Sequence, residues 1–215
     1  LVREKFVPIV NYERAVPTFP GSPFSAPQLG KLIKVVPVKE LRLVELAWPM
    51  PSLDPYHEEA PNSYISHLIG HEGAGSLLSH LKDKGWANEL YAGASVQNSD
   101  FSVFGVGVEV TDAGVEHCLD VAAAVFQYVR MLRENGPQQW VFDECQAVSN
   151  MNFRFKAKER PASYASALAG NMHKYPVDRP VSGPYLLRKY NPELIKGLVD
   201  GLTPENCMVM VLSQS

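Results

Sequence analysis

Residues 100–110, DFSVFGVGVEV, restrict the fold more than any other stretch of the chain. Successive side chains of a strand point to opposite faces, so alternate residues share one side. Here one set is Phe101, Val103, Gly105, Gly107 and Glu109, and the other is Ser102, Phe104, Val106, Val108 and Val110. Both sets are largely apolar, which predicts a central strand with neighbours at both edges and cover on its faces. Helical sequence follows at once. Thr111 is placed to cap a long helix through about Arg133, with Val115, Leu119, Ala122, Phe126, Val129 and Leu132 on one stripe. Gly136-Pro137 breaks it and opens a helix from Gln138 to roughly Lys158. A shorter helix is predicted from Pro161 to His173, another after Asn191-Pro192, and NCMVMVLSQ reads as a closing strand.

The sequence ahead of the central strand completes the pattern. Residues 1–30 hold five of the 17 prolines and predict an extended interdomain connector. GKLIKVVPV and LRLVELAWPM read as strands, PSLDPYHEEAPN as a loop, and WANELYAGASV as a strand. Between them, Asn62 or Ser63 is expected to cap a helix through His71, and Ser76 to Lys84 forms a second one stopped by Gly85. Strands, then a helical block, then a last strand predict an α+β two-layer domain over residues 31–215. Its largely antiparallel or mixed sheet is covered on one face by helices.

Bulk properties exclude several function classes. The chain has 20 Lys+Arg against 23 Asp+Glu, a net charge of −3, and no basic excess of the kind that neutralises phosphates, so no nucleic-acid partner is expected. Apolar runs fall short of the ~18 residues of a membrane span, and LVREKFVPIV has no signal-peptide architecture. The first methionine is Met50, so the chain is expected to be a piece of a longer polypeptide. Cys118, Cys145 and Cys207 are too few and too far apart for a disulfide framework or a zinc knuckle. They read as small buried hydrophobes in a reducing compartment, which points to the cytoplasm.

The chemistry-bearing segment is HLIGHEGAGSLL, His67 to Leu78. Histidines at i and i+4 of a helix share a face, the ligand spacing of H-x-x-E-H zinc sites. In His67-Leu68-Ile69-Gly70-His71 the base position of that motif is glycine, which cannot take a proton from a metal-bound water. Glu72 would lie about 100° round the helix from His71. Two histidines alone hold zinc poorly. Glu144 is the one downstream candidate for a third ligand, and it reads more simply as a solvated helix glutamate. A self-contained metallohydrolase built on His67 and His71 is therefore the weakest of the readings.

Several blocks together resemble one family: FPGSPFSAPQLGKLIKVVPVKELR, SYISHLIGHEGAGSLLSHLKDKGWANELYAG, GPQQWVFDECQAV, FRFKAKERP and GLTPENCMVMVLS. In this order, from about Val16 to Ser213, they look like the second, non-catalytic domain of the insulinase/pitrilysin family of inverzincin zinc metalloendopeptidases. That resemblance implies four related α+β domains around an enclosed chamber, with H-x-x-E-H and its zinc in a first domain outside this chain. HLIGH would be the corresponding place in a duplicated domain that has lost the chemistry. No residue here is then catalytic or metal-binding, and no cofactor is held by this chain.

The resemblance further implies an exosite that anchors the amino end of a peptide substrate. Carried over by position, His67, Gly70 and Glu72 fall on the anchor, and Leu90, Ala92 and Gly93 on a strand whose edge pairs with the peptide. At Ala92 and Ala94 the chain departs from the glycine and glutamine of that pattern. Partners implied are peptides and the other domains of the same polypeptide, with any homo-oligomer formed through the parent. The residue chemistry fits: a carboxylate accepts from an α-amino group, and an open strand edge offers unpaired N–H and C=O groups. Two plainer readings stay open, in which Gly70, Gly73 and Gly75 form a helix–helix turn and His67 is a satisfied core histidine. A reading of another class also stays open: an inactive structural scaffold like the relatives in mitochondrial processing peptidase and respiratory-complex core proteins. Arg154, Lys156, Lys158 and Arg160 read as a helix end favouring the dipole rather than a nucleic-acid patch. Trp48, Trp86 and Trp140 read as core or interface residues.

Overall fold

A computed structural model of the chain describes residues 1–15, 17–19 and 21–214. Five strands form one mixed sheet: β1 Lys31–Val35, β2 Leu43–Pro51, β3 Ala87–Gln97, β4 Phe101–Val110 and β5 Met208–Leu212. The order is β1-β5-β2-β4-β3; β1 and β5 run parallel and every other pair is antiparallel. The helices are α1 Val2–Phe6, α2 Pro61–Ile69, α3 Leu77–Asp83, α4 Asp112–Glu116, α5 Cys118–Asn135, α6 Gln139–Arg154, α7 Pro161–Lys174 and α8 Pro192–Gly201. Strands first, helices next and one strand last is the α+β order expected. β5 nonetheless returns to the interior of the sheet, between β1 and β2.

β4 lies between β2 and β3, as its two apolar sets require. Phe104, Val106 and Val108 pair in register with Trp48, Leu46 and Val44. These six residues are buried with Ile65, Leu78, Val125 and Ile195 from the helices in one core cluster. Trp48 is fully buried, stacks edge-on against Phe126 at 5.9 Å, and its indole N–H donates to the Thr203 carbonyl at 3.0 Å. The buried indole has thus found its acceptor.

The chain departs from expectation at several element ends. Residues 1–30 are not extended throughout: α1 is a helix, and Ala26–Gln28 make a 3-10 turn closed by Ser25 and Gln28. The helix after Thr111 is two helices, because His117 leaves helical geometry at φ −104° and ψ 24°. That interruption resets the buried stripe. Val121, Ala122, Val125 and Val129 face the core, while Leu119, expected on the stripe, is 61% exposed. α6 ends at Arg154, so of the basic stretch only Arg154 occupies a helix C-terminus, while Arg160 is the N-cap of α7; Lys156 instead pairs with Glu159 and lies over the rings of Tyr164 and Tyr185. Trp140 is no core residue: it is 64% exposed on the first turn of α6, whereas Trp86 stacks on His117 at 4.6 Å. Cys145 and Cys207 are buried free thiols, and burial pushes the Cys207 thiol up to about 12. No helix among the described residues is long and apolar enough to cross a membrane.

Candidate functional site

α2 and β3 together build the region singled out by HLIGHEGAGSLL. α2 starts at Pro61, whose fixed φ suits the first helical position, behind Ala60 in the left-handed region at φ 35°. Tyr64 and Ile65 are fully or nearly fully buried, and Ser66 closes a bond to the Asn62 carbonyl at 2.7 Å. The helix stops at Ile69, two residues earlier than expected. Its last carbonyls are met from two directions: Tyr128 of α5 donates to Leu68 O at 3.0 Å, and the C-cap Gly70 N donates to Ser66 O at 2.8 Å in a last helical bond. A Cβ on Gly70 would stand only 2.8 Å from that same Ser66 carbonyl. Glycine is what the close turn needs there.

His71 consequently lies beyond the helix, in an exposed turn with Glu72, Gly73 and Ala74 that Gly75 closes at φ 81°. His67 remains on the last helical turn. The i, i+4 geometry that motivates a zinc pair is therefore broken by the early stop. The two rings are 6.3 Å apart and tilted by 41°, and the nearest carboxylate to His67 is Glu144 Oε2, 3.9 Å from Nε2. Glu144 thus does approach His67 from α6, although its side chain is 53% exposed. Among the described residues no three His, Cys, Asp or Glu side chains cluster closely enough to hold a metal. A zinc ion needs three or four converging donors, and this donor set does not supply them.

The other predicted site residues are on β3, the outer edge of the sheet beyond β4. Gly93 pairs with Gly105 and Ala92 with Val106, and a bulge follows at Ala94/Val96. α2 approaches this strand closely. The Gly70 Cβ position is 3.9 Å from Ala92 N, and that of Gly93 is 3.6 Å from Ser66 Oγ. The structure therefore brings Gly70, Ala92 and Gly93 together, with His67 one turn before Gly70 and Glu72 exposed two residues after it. Leu90 stands apart in role: its side chain is 7% exposed and belongs to the core, leaving only its backbone at the edge. Sequence reasoning missed Ser66, which packs between the two elements, and Tyr128, which holds the helix end. Neither carries a motif signal, because both act through contacts distant in sequence.

Two family sequence models match the chain. Residues 4–148 match the peptidase M16 inactive domain, and residues 153–215 match the middle or third domain of peptidase M16. The junction falls inside α6. The chain is 42% identical to the insulin-degrading enzyme of Homo sapiens across its whole length, covering 21% of that enzyme. It is 39% identical to the peroxisomal insulin-degrading enzyme-like 1 of Arabidopsis thaliana, over 100% of the chain and 22% of that protein. The crystal structure of pitrilysin superimposes on all of the chain with a TM-score of 0.95 at 24% identity, over 23% of that protein. The chain thus spans about a fifth of the length of the curated relatives it matches. The match of residues 4–148 to the peptidase M16 inactive domain, continued by the match of residues 153–215 to a second M16 domain model, places the chain in the M16 peptidase family.

Proposed function

We propose that this chain is the non-catalytic, peptide-anchoring domain of a larger M16 zinc metalloendopeptidase, helping to enclose the chamber in which another domain cuts. In this reading residues 1–30 connect to the preceding domain, and residues 31–215 act as one unit. Zinc and the general base belong to that other domain. The observation that carries the reading is the corner itself: β3 offers its outer edge beside the α2 terminus, and Glu72 is exposed in the adjoining turn. An extended peptide can add to such an edge through its main chain, while a carboxylate takes its α-ammonium group. The buried thiols favour a reducing compartment, which leaves the cytoplasm as the proposed location.

The test is Glu72→Gln in the full-length protein. Losing one charge-assisted hydrogen bond, worth ~1.5–3 kcal/mol, should weaken binding of long peptides roughly ten- to hundredfold. Turnover of substrates too short to reach the corner should be unchanged. Unaltered affinity for long peptides would defeat the anchor. A parent without zinc and without peptidase activity would instead support the scaffold role.

A further inference from the structure

Two helices decide where the His67 ring points. α2 and α6 are pinned together at Tyr64, whose hydroxyl accepts from Gln138 N at 2.8 Å. Tyr64 and His67 are three residues apart and so share one face of α2. On the other side, Val141, Phe142 and Cys145 are buried and fix α6 against the core. Glu144, on that same helix, brings its Oε2 to 3.9 Å from His67 Nε2. Closing the gap by about 1 Å makes a hydrogen bond, a small adjustment for a side chain that is 53% exposed.

Glu144 has no competing task. Among the described residues its carboxylate makes no other ion pair and no other hydrogen bond. His67 in turn has no second polar partner; the His71 ring, 6.3 Å away, is too far to hold it. Left to itself the imidazole has room to turn away from the corner. It borders a cavity of about 290 Å³, which it lines together with Ala60, Ser63, Cys145 and Val148. An imidazole has two nitrogens, and the group met by one decides what the other offers. A carboxylate only accepts, so at Nε2 it favours the proton there and leaves Nδ1 as an acceptor. That is the form able to take an N–H from a peptide's amino end.

Resting on the anchor reading, we propose that Glu144 is a positioning residue of the peptide anchor. By accepting from His67 Nε2, it holds the imidazole in the orientation and tautomer that present Nδ1 to the amino end of the peptide. Glu72 supplies the charge of the anchor, whereas Glu144 acts through His67 without touching the peptide.

The test is a double-mutant cycle in the full-length protein, reading affinity for one long peptide in His67→Ala, Glu144→Ala and the pair together. Water screens both side chains, so Glu144→Ala should weaken binding only about two- to fivefold. In the His67→Ala background the same substitution should change nothing further. Glu144→Gln should keep most of the affinity, because its amide oxygen accepts the same hydrogen. Thermal unfolding of the three Glu144 variants should match that of their backgrounds. Equal losses in both backgrounds would mean that Glu144 meets the peptide itself. A loss in Glu144→Gln as large as in Glu144→Ala would mean that charge matters and orientation does not, and a matching loss of thermal stability would reveal a structural role. Each of these overturns the positioning role. If His67→Ala and Glu72→Gln weaken binding while Glu144→Ala does not, the anchor stands and the positioning falls. If neither His67→Ala nor Glu72→Gln has an effect, both fall.

Discussion

Gly70 is defined by what its missing Cβ would strike. At 2.8 Å from Ser66 O, an added methyl must displace backbone, not the end of a flexible side chain. Gly70→Ala should therefore destabilise the domain by about 1–3 kcal/mol in denaturant unfolding. The same crowding opposes Gly70→Glu as a route back to a zinc motif, since His71 has already left the helix. Glu58 is defined by its charges: the hydrogen bond from Lys189, and the nearby Lys189 and Arg179 cations, hold its carboxyl below its ordinary value of 4.5 despite burial. A lowered carboxylate pKa stabilises the fold above the unfolded value, and that contribution is lost as pH falls through the folded one. Stability should thus drop on acidification below about 4.5, and Glu58→Gln should flatten that part of a melting-temperature profile. Among the site residues, the absence of a carboxylate at Gly70 was legible in the sequence. The burial of Leu90 was not, because a strand's alternation does not say which face is covered.

At the scale of elements, the sequence placed every strand within a few residues and the ends of α3, α5 and α7 within two, but misjudged the ends of α2 and α6 and the break at His117. Helix spacing alone carried α2 through His71, but the helix stops at Ile69, where Tyr128 of another helix donates to the Leu68 carbonyl. A single long helix after Thr111 was expected from periodicity, and His117 divides it. Thr111 itself was identified correctly: its hydroxyl accepts from Gly114 N at 3.0 Å and donates to Gly85 O at 2.7 Å, tying α4 to the end of α3. Thr111→Val removes both bonds while keeping the shape. A loss of about 1–2 kcal/mol is expected, measurable by thermal or chemical unfolding. The structure also explains why the cap matters. Gly114 packs so closely on the Trp86 carbonyl that a Cβ there would lie 2.0 Å from its oxygen.

For the molecule as a whole, the expected split between a connector and a folded body makes a direct prediction. Residues 1–15 are all exposed, and α1 buries no side chain. Deleting them should leave unfolding free energy within about 0.5 kcal/mol, as for other surface changes, by comparison of denaturation curves. Trp48→Phe, by contrast, would empty part of the core and strand the Thr203 carbonyl. What the sequence determined by itself was the layered α+β class, the place of DFSVFGVGVEV inside the sheet, and the glycine, not a carboxylate, at position 70 between His67 and His71. These are local: alternation, capping residues and side-chain chemistry are written in adjacent positions. Tertiary structure alone decided that β5 inserts between β1 and β2, that α2 ends before His71, and that His57, His67 and Cys145 share one cavity. Each depends on groups far apart in the chain meeting in space, and no periodicity within a segment encodes which distant partner will satisfy its last hydrogen bond.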